Sequence, residues 1–451
     1  MNLEVREVQI ADVLRARDAR AALQETLIAR YNMPVVSFSM NIAGKIKLDA
    51  PICRAFREGV QRIESQLKLR GAKIQESKQI IEFTGCEQIW AVDADAAKLK
   101  LWMSAIEESD ALGRLFDIDV IGVDGIKLSR PVQRERRCII CGGPVFVCSR
   151  SRKHTAEELY AQTHAIIREF FQQRTAKNIA LCAEKSLLYE VFTTPKPGLV
   201  DLENSGAHQD MDRFTFIDSA CALQEYFAEC AQIGRKSNGV SADEVFSQLR
   251  IAGLNAELAM MKATCGVNTH KGALFSLGIL CAAAASVANG KFDVPSLLSR
   301  AAELSKPALA DLNGMQQAST GGEAQFLSHG YTGVRGEAAS GFVSVQKFAL
   351  PAFRDAMAKG RGINDAGLAA LAALMSNVLD SNVIRRAGLE GQHRMMAEFS
   401  AMHDIDRNAL RKINECYVME NISPGGCADL LAVVYFLYLL ECEKESIFGE
   451  S

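Results

Sequence analysis

Gly113-Arg114-Leu115-Phe116-Asp117-Ile118-Asp119-Val120 decides how the first half of this chain is read. Successive residues of a strand face opposite ways. Phe116, Ile118 and Val120 therefore enter a core, and Asp117 and Asp119 stand side by side on the other face. Two adjacent carboxylates repel unless a cation sits between them. Mg²⁺ takes one or two carboxylates together with phosphate oxygens, so it suits the pair. Such a strand serves phosphoryl and nucleotidyl transfer, in which metal ions bridge a triphosphate and neutralise departing pyrophosphate. A solvated edge strand with two surface aspartates has the same pattern, and D-x-D is short enough to leave both readings open.

Outward from this strand, residues 36–42 alternate apolar and polar with period two. Ile80 to Thr84 and Ile89 to Val92, on either side of Gly85, predict a pair of strands, and Phe116 to Leu128 predicts a hairpin turning at Asp124-Gly125. Helices are expected over 50–69 and 95–109. The first half is therefore an α+β domain with a mixed or antiparallel sheet. After about Arg150 the texture changes. An amphipathic helix over 156–171 serves as connector, and long Ala/Leu/Met-rich segments follow at 245–264, 273–288, 366–379 and 430–443. A mostly all-α second domain is expected, with boundaries at 1–165 and 166–451.

Composition narrows the function classes. The chain has 451 residues, 48% apolar and 23% charged, with a net charge of -3. That excludes disordered, collagenous and bulk-basic nucleic-acid or membrane-surface proteins. Residues 1–20 carry Glu4, Arg6, Glu7, Asp12 and Arg15 and lack a signal-peptide core. The uncharged run Gly272 to Gly290 is mostly Ala, Gly, Ser and Cys, which reads as a buried helix rather than a membrane span. Thirteen cysteines, an odd number in a long chain, fit reduced thiols and a cytoplasmic location better than a disulfide framework.

Two features surround the D-x-D strand. Arg114, Arg130, Arg134, Arg136, Arg137, Arg150, Arg152 and Lys153 form a basic stretch that suits an anionic ligand, or equally a solvated face. Cys138-x-x-Cys141, with Cys148 and His154, has the spacing of a Cys₃His zinc site. Buried free cysteines, and a phosphate contact at His154, are the alternatives.

The second half gathers dense polar clusters. Thr193 to Asp201 is a Pro- and Gly-fixed loop presenting Lys196 and Asp201, and Gly206 to Asp212 adds His208 and Asp210. Gly266-Val267-Asn268-Thr269-His270-Lys271-Gly272 precedes an apolar helix that Asn268 or Thr269 can cap, leaving free N–H groups for an anion beside Lys271. Arg335-Gly336-Glu337 and Asp380-Ser381-Asn382 follow. Asn421 to Asp429 brings Gly425 and Gly426 to a second helix entry. Two cationic contacts, several carboxylates, two histidines and two glycine-rich helix entries together describe a site for a metal-bound nucleoside triphosphate.

These residues carry a resemblance. TPKPGLVD, GAHQDMD, GVNTHKG, RGE and NISPGG-x-ADLL resemble triphosphoribosyl-dephospho-CoA synthase. VSFSMNIAG, GRLFDIDV, LSR and RRCIICGGPVFVCSRSRKH resemble the citrate lyase holo-acyl-carrier-protein synthase, the apo-citrate lyase phosphoribosyl-dephospho-CoA transferase. The whole chain is similar to a fusion of the two. The resemblance implies that the second domain joins ATP to 3′-dephospho-CoA with loss of adenine. The first would then transfer the product to a serine of the apo acyl carrier subunit (gamma chain) of citrate lyase, expelling pyrophosphate. It implies no nucleic-acid or membrane partner. In the first domain Asp117 and Asp119 would hold Mg²⁺, and Arg114, Arg136 and Arg137 would grip phosphate. In the second, Glu337 or Asp210 is the expected base. Lys196, His270, Lys271 and Arg335 are the expected phosphate contacts, with Asn268, Gly425 and Gly426 beside the nucleotide. Asp201, Asp380 and Asp429 are the expected metal neighbours. Cys427 stands where serine is expected, which puts a hydroxyl contact there in doubt. The same prosthetic group serves malonate decarboxylase, so the carrier is open at this point, as is a first domain that only docks it.

Overall fold

A computed structural model describes residues 5–129, 137–288, 292–313, 315–318, 321–402 and 404–448; Arg130, Arg134 and Arg136 lie outside them. The chain divides into two compact units, the first reaching Gln172 and the second starting at Gln173.

Unit 1 contains α1 (Ile10–Tyr31), β1 (Val35–Met40), α2 (Ala50–Leu69), β2 (Lys73–Glu82) and β3 (Gly85–Asp93). It continues with α3 (Ala96–Glu108), β4 (Phe116–Ile121), α4 (Val145–Ser151) and the start of α5 (Ala156–Phe192). The sheet order is β2-β3-β1-β4, and every neighbouring pair is antiparallel. Caps place the two central helices: Asp49 accepts from the Ile52 N–H (2.9 Å) at α2, and Asp95 from the Lys98 N–H (2.9 Å) at α3. One sheet face is apolar. Phe38 stacks on Phe56 of α2 at 5.1 Å and meets Phe116 edge-on at 5.2 Å. Gly59 lets α2 come this close, since a Cβ there would lie 2.3 Å from the Phe38 ring. On the opposite face Leu27 of α1 packs with Val35, Ile89, Ala91 and Ile121.

The hairpin expected over 116–128 forms only in part. The Asp124-Gly125 turn is present, with Gly125 at φ 74°, but its returning arm makes a single bridge, Ile121 to Lys127. β4 is therefore an edge strand.

Unit 2 is helical. It holds α6 (Arg213–Ala222), α7 (Gln224–Arg235), α8 (Ala242–Ala263), α9 (Lys271–Val287), α10 (Val294–Ala310) and α11 (Gly321–His329). It continues with α12 (Gly333–Ala339), α13 (Leu350–Ala358), α14 (Ile363–Asn377), α15 (Ser381–Ser400), α16 (Arg407–Met419) and α17 (Gly425–Cys442). The uncharged run expected as a buried helix is α9, which is buried along nearly its whole length. It touches α7 almost backbone to backbone: a Cβ at Gly234 would lie 1.9 Å from the Ala282 carbonyl oxygen. α17 has the length and apolarity of a membrane span, yet most of it is buried among the other helices. The connector helix is longer than expected. With no Gly or Pro between Ala156 and Phe192 nothing stops it, and α5 runs 37 residues. Ile167 and Phe171 join the core of unit 1, and Ala176, Ile179 and Ala183 that of unit 2.

Candidate functional sites

The polar loops of unit 2 enclose a cavity of roughly 1410 Å³. Small-molecule pockets typically hold about 300–1,000 Å³, so this one has room for more than one nucleotide-sized ligand. Asp210, Asn268, His270, Lys271, Arg335, Glu337, Asp380, Gly425, Gly426 and Asp429 all line it. Lys196 and Asp201 do not.

The two helix entries are occupied differently from expectation. At α17, the Cys427 N–H donates to Asp380 Oδ2 (2.9 Å); the other oxygen of Asp380 accepts from the Asn382 N–H (2.8 Å) and caps α15. At α9, the Ala273 N–H donates to Asp429. Neither Asn268 nor Thr269 caps α9: His270 holds the cap position, and the Thr269 hydroxyl turns to Ser219 (2.7 Å). The positive end of each helix has drawn a carboxylate of the protein. Glycines make room, because a Cβ at Gly272 would lie 2.0 Å from Asp429 Oδ2 and one at Gly426 3.0 Å from Asp380 Oδ2. Burial raises the Asp380 carboxyl, and burial with Glu190 and Asp380 nearby raises Asp429 well above the ordinary range. Cys427 is wholly buried and does not line the cavity; what it supplies is its backbone N–H.

Lys196, expected at the phosphates, faces inward. It is 1% exposed, donates to the Glu190 carbonyl (2.7 Å) and pairs with the Glu190 carboxylate. An ammonium so far from water needs such a partner. Asp201, expected beside metal, organises its own loop. It accepts from the Lys196 N–H (2.8 Å), the Thr194 hydroxyl (3.0 Å) and the N–H groups of Glu203 (2.7 Å) and Asn204 (3.0 Å).

His270 is 3% exposed, and burial with nearby Lys196 holds its imidazole down to about 3. Its Nδ1 lies 2.7 Å from Ser219 Oγ, while Nε2 is buried with no partner. Because Thr269 donates to Ser219, the Ser219 hydroxyl gives its own hydrogen to Nδ1. The neutral ring then carries its hydrogen on Nε2, as an unsatisfied donor. Arg335 pairs with Glu323 (2.9 Å), and its Nη1 is likewise buried and unpartnered. Lys271 pairs with Glu257. Glu337 is half-buried and accepts from the Ser344 hydroxyl (2.5 Å). Asp210 is exposed, 3.9 Å from His208.

In unit 1, Phe116, Ile118 and Val120 are buried, and Asp117 and Asp119 are half-exposed on the opposite face. Asp119 pairs with Lys127 (2.6 Å). The outer edge of β4 is met by buried charged side chains of α3: Lys100 donates to the Ile118 carbonyl (2.9 Å), and Glu107 accepts from the Ile118 N–H (3.1 Å). Arg114, just before β4, donates to the Arg137 carbonyl (2.6 Å). Arg136 is outside the described residues. Cys138, Cys141, Cys148 and His154 converge, each offering a ligand atom within 4.8 Å of all the others. Among the described residues no other His, Cys, Asp or Glu group of three or more gathers so closely, so Asp201, Asp380 and Asp429 do not form one set.

The two units correspond to two known families. Residues 8–170 match the CitX family model, apo-citrate lyase phosphoribosyl-dephospho-CoA transferase. Residues 176–448 match the CitG family model, ATP:dephospho-CoA triphosphoribosyl transferase. Protein CitXG of Leuconostoc mesenteroides subsp. cremoris is 32% identical over 455 residues, covering 95% of this chain and 97% of that one. Protein CitXG of Haemophilus influenzae is 32% identical, covering 95% and 96%. The chain belongs to the CitXG family. It is a bifunctional transferase of citrate lyase prosthetic-group formation. A separate relative, the probable 2-(5''-triphosphoribosyl)-3'-dephosphocoenzyme-A synthase of Pectobacterium carotovorum, is 38% identical over 62% of this chain and 94% of its own.

Several residues of this CitXG-family chain were not singled out from sequence. Glu190 lies in α5, and Arg385 and Arg386 lie in the first turns of α15, yet all three line the cavity. Arg386 donates to the Ala207 carbonyl (3.0 Å) and to Asn421 (2.7 Å), tying two loops together. The signal was available, since Arg385-Arg386 follows Asp380-Ser381-Asn382 by one helical turn.

Proposed function

We propose that unit 2 joins the C1″ ribose carbon of ATP to the 2′-hydroxyl of 3′-dephospho-CoA, releasing adenine. Unit 1, read as a nucleotidyltransferase-like domain, then moves the phosphoribosyl-dephospho-CoA group to a serine of the apo acyl carrier subunit of citrate lyase, releasing pyrophosphate. The observation that carries the reading is the unit 2 cavity, whose buried unpaired donors, His270 Nε2 and Arg335 Nη1, await an acceptor-rich ligand. A bacterial cytoplasm is the setting this chemistry calls for.

In unit 2 the C1″–N9 bond breaks and the C1″–O2′ bond forms, through an oxocarbenium-like state. The hydroxyl proton passes to Glu337, which Ser344 holds in place. Asp210 is less suited, because water competes at its exposed carboxylate. Adenine must leave protonated, so the step needs a proton donor at its ring as well as the base at the hydroxyl. Asn268, Lys271, Arg335, Arg386 and the N–H groups at Gly425 and Gly426 contact phosphate.

Asp117 and Asp119 share one face, with Lys127 already drawn to it. They fit Mg²⁺, which would neutralise the departing pyrophosphate. Asp380 and Asp429 are the neighbours proposed for the metal on ATP. In unit 1 the carrier serine attacks the innermost phosphorus in line with the leaving pyrophosphate.

The test is mass spectrometry of the products of the full chain with ATP, 3′-dephospho-CoA and Mg²⁺. Adenine and the adduct should form in equal amounts, and added apo carrier should gain the phosphoribosyl-dephospho-CoA mass. Adenine release at the same rate without dephospho-CoA would make unit 2 a hydrolase instead.

A further inference from the structure

We propose that Cys138, Cys141, Cys148 and His154 form a structural zinc site that holds residues 137–154 together. The four ligand atoms lie within 4.8 Å of one another, and Cys141 Sγ stands 3.5 Å from Cys148 Sγ. Zn–S bonds of about 2.3 Å in a tetrahedron set sulfurs about 3.8 Å apart, so little movement is needed to close on the ion.

The backbone builds the site from three local pieces. Cys138 and Cys141 flank a tight turn in which the Gly142 N–H donates to the Cys138 carbonyl (3.0 Å), with Gly142 at φ 69°. The Ile140 N–H points at Cys138 Sγ (3.5 Å), as amides do toward a metal-bound thiolate. Cys148 comes from α4. Arg152, at φ 45°, then turns the chain so that His154 returns to the sulfurs.

Hydrophobic burial holds only one end of this segment, where Ile139 packs against the core of unit 1. α4 buries none of its residues, and Val145, Phe146 and Val147 are 38%, 51% and 47% exposed. Cys138 is its one buried apolar residue among those described. An excursion of this kind needs a cross-link or a metal, as small metal-dependent modules do. His154 Nε2 is buried without a hydrogen-bond partner, an orphan that a metal would satisfy. Zinc replaces the thiol protons, leaving three thiolates and one neutral imidazole. The net charge of -1 is matched by Arg137, Arg150, Arg152 and Lys153 in the same segment.

The test is metal analysis of the reduced full-length protein, with Co²⁺ substitution as a second readout. About one zinc per chain is expected, and the cobalt form should show thiolate-to-metal charge-transfer bands with tetrahedral ligand-field absorption. Cys138→Ser with Cys148→Ser should lower zinc content about tenfold or more, while adenine release by unit 2 stays unchanged. Less than about a tenth of an equivalent in wild-type protein after zinc reconstitution, or zinc fully retained by the double variant, would overturn the site. So would a metal-free Cys141–Cys148 disulfide found by intact mass in protein purified without oxidant.

Discussion

At the scale of single residues, what decides the unit 2 site is which polar groups have been left without water. His270 sets a pH signature. Its imidazole is held near 3 in the fold, against about 6.5 in an unfolded chain. Below about pH 6.5 the unfolded chain takes up a proton that the folded one refuses until about pH 3. This contribution to stability is therefore complete above pH 6.5 and drains as pH falls, by up to about 1.4 kcal/mol per unit. The raised carboxyls of Asp380 and Asp429 act in the opposite sense. His270→Gln isolates the histidine: urea unfolding at pH 7 and pH 5 should show wild type losing more stability than the variant, and parallel losses would contradict it. Gly272→Ala would drive a methyl into Asp429, costing about 1–3 kcal/mol and lowering the rate of adenine formation together. His270, Lys271, Arg335, Glu337, Asp380 and Asp429 could be found from sequence because each sits in a short Gly- or Asn-rich motif. Lys196 and Asp201 sit in an equally conspicuous motif, yet they bond within the protein. Motif spacing does not reveal whether a charged head finds its partner at home.

At the scale of elements, β4 was readable because its period-two pattern has one solution: three apolar residues inward and two aspartates outward. Its place at the sheet edge was not readable, since no local pattern reports which strand pairs with which. The consequence is Lys100 and Glu107, two buried charges in a helix, whose reason for burial is the unpaired edge of Ile118. Glu107→Leu should cost about 1–3 kcal/mol in a denaturant titration of unit 1, the penalty of an amide left without an acceptor. In unit 2, apolar length and period located α8, α9, α14 and α17 to within a few residues at their C-terminal ends. The contact between α7 and α9 was hidden, because it depends on an absent side chain. Gly234→Ala should therefore destabilise the helical unit by at least about 1–3 kcal/mol, more than the same change at Gly362, which has open space around it and a negative φ. The carboxylates that meet the α9 and α17 entries were hidden for a related reason. A helix N-terminus is visible in sequence, but a carboxylate arriving from 47 residues away, as Asp380 does at Cys427, is not.

For the whole molecule, the change of texture near Arg150 foretold two units, and the family matches at 8–170 and 176–448 assign each its own chemistry. The length of α5 was underestimated because the change of partner along a helix leaves no mark when neither Gly nor Pro intervenes. Two consecutive reactions in two units predict that each can be removed without the other. Glu337→Gln should lower adenine formation about 10²- to 10⁴-fold, the scale of a lost general base, yet still modify the carrier when preformed adduct is supplied. Asp117→Asn should do the reverse. The most direct test of this division is the intact mass of the apo carrier, with adenine assayed in parallel, after incubation with the full-length Asp117→Asn variant, ATP, 3′-dephospho-CoA and Mg²⁺. The account predicts adenine and adduct at the wild-type rate with the carrier mass unchanged. A carrier modified as by wild type, or adenine formation lost along with transfer, would contradict it.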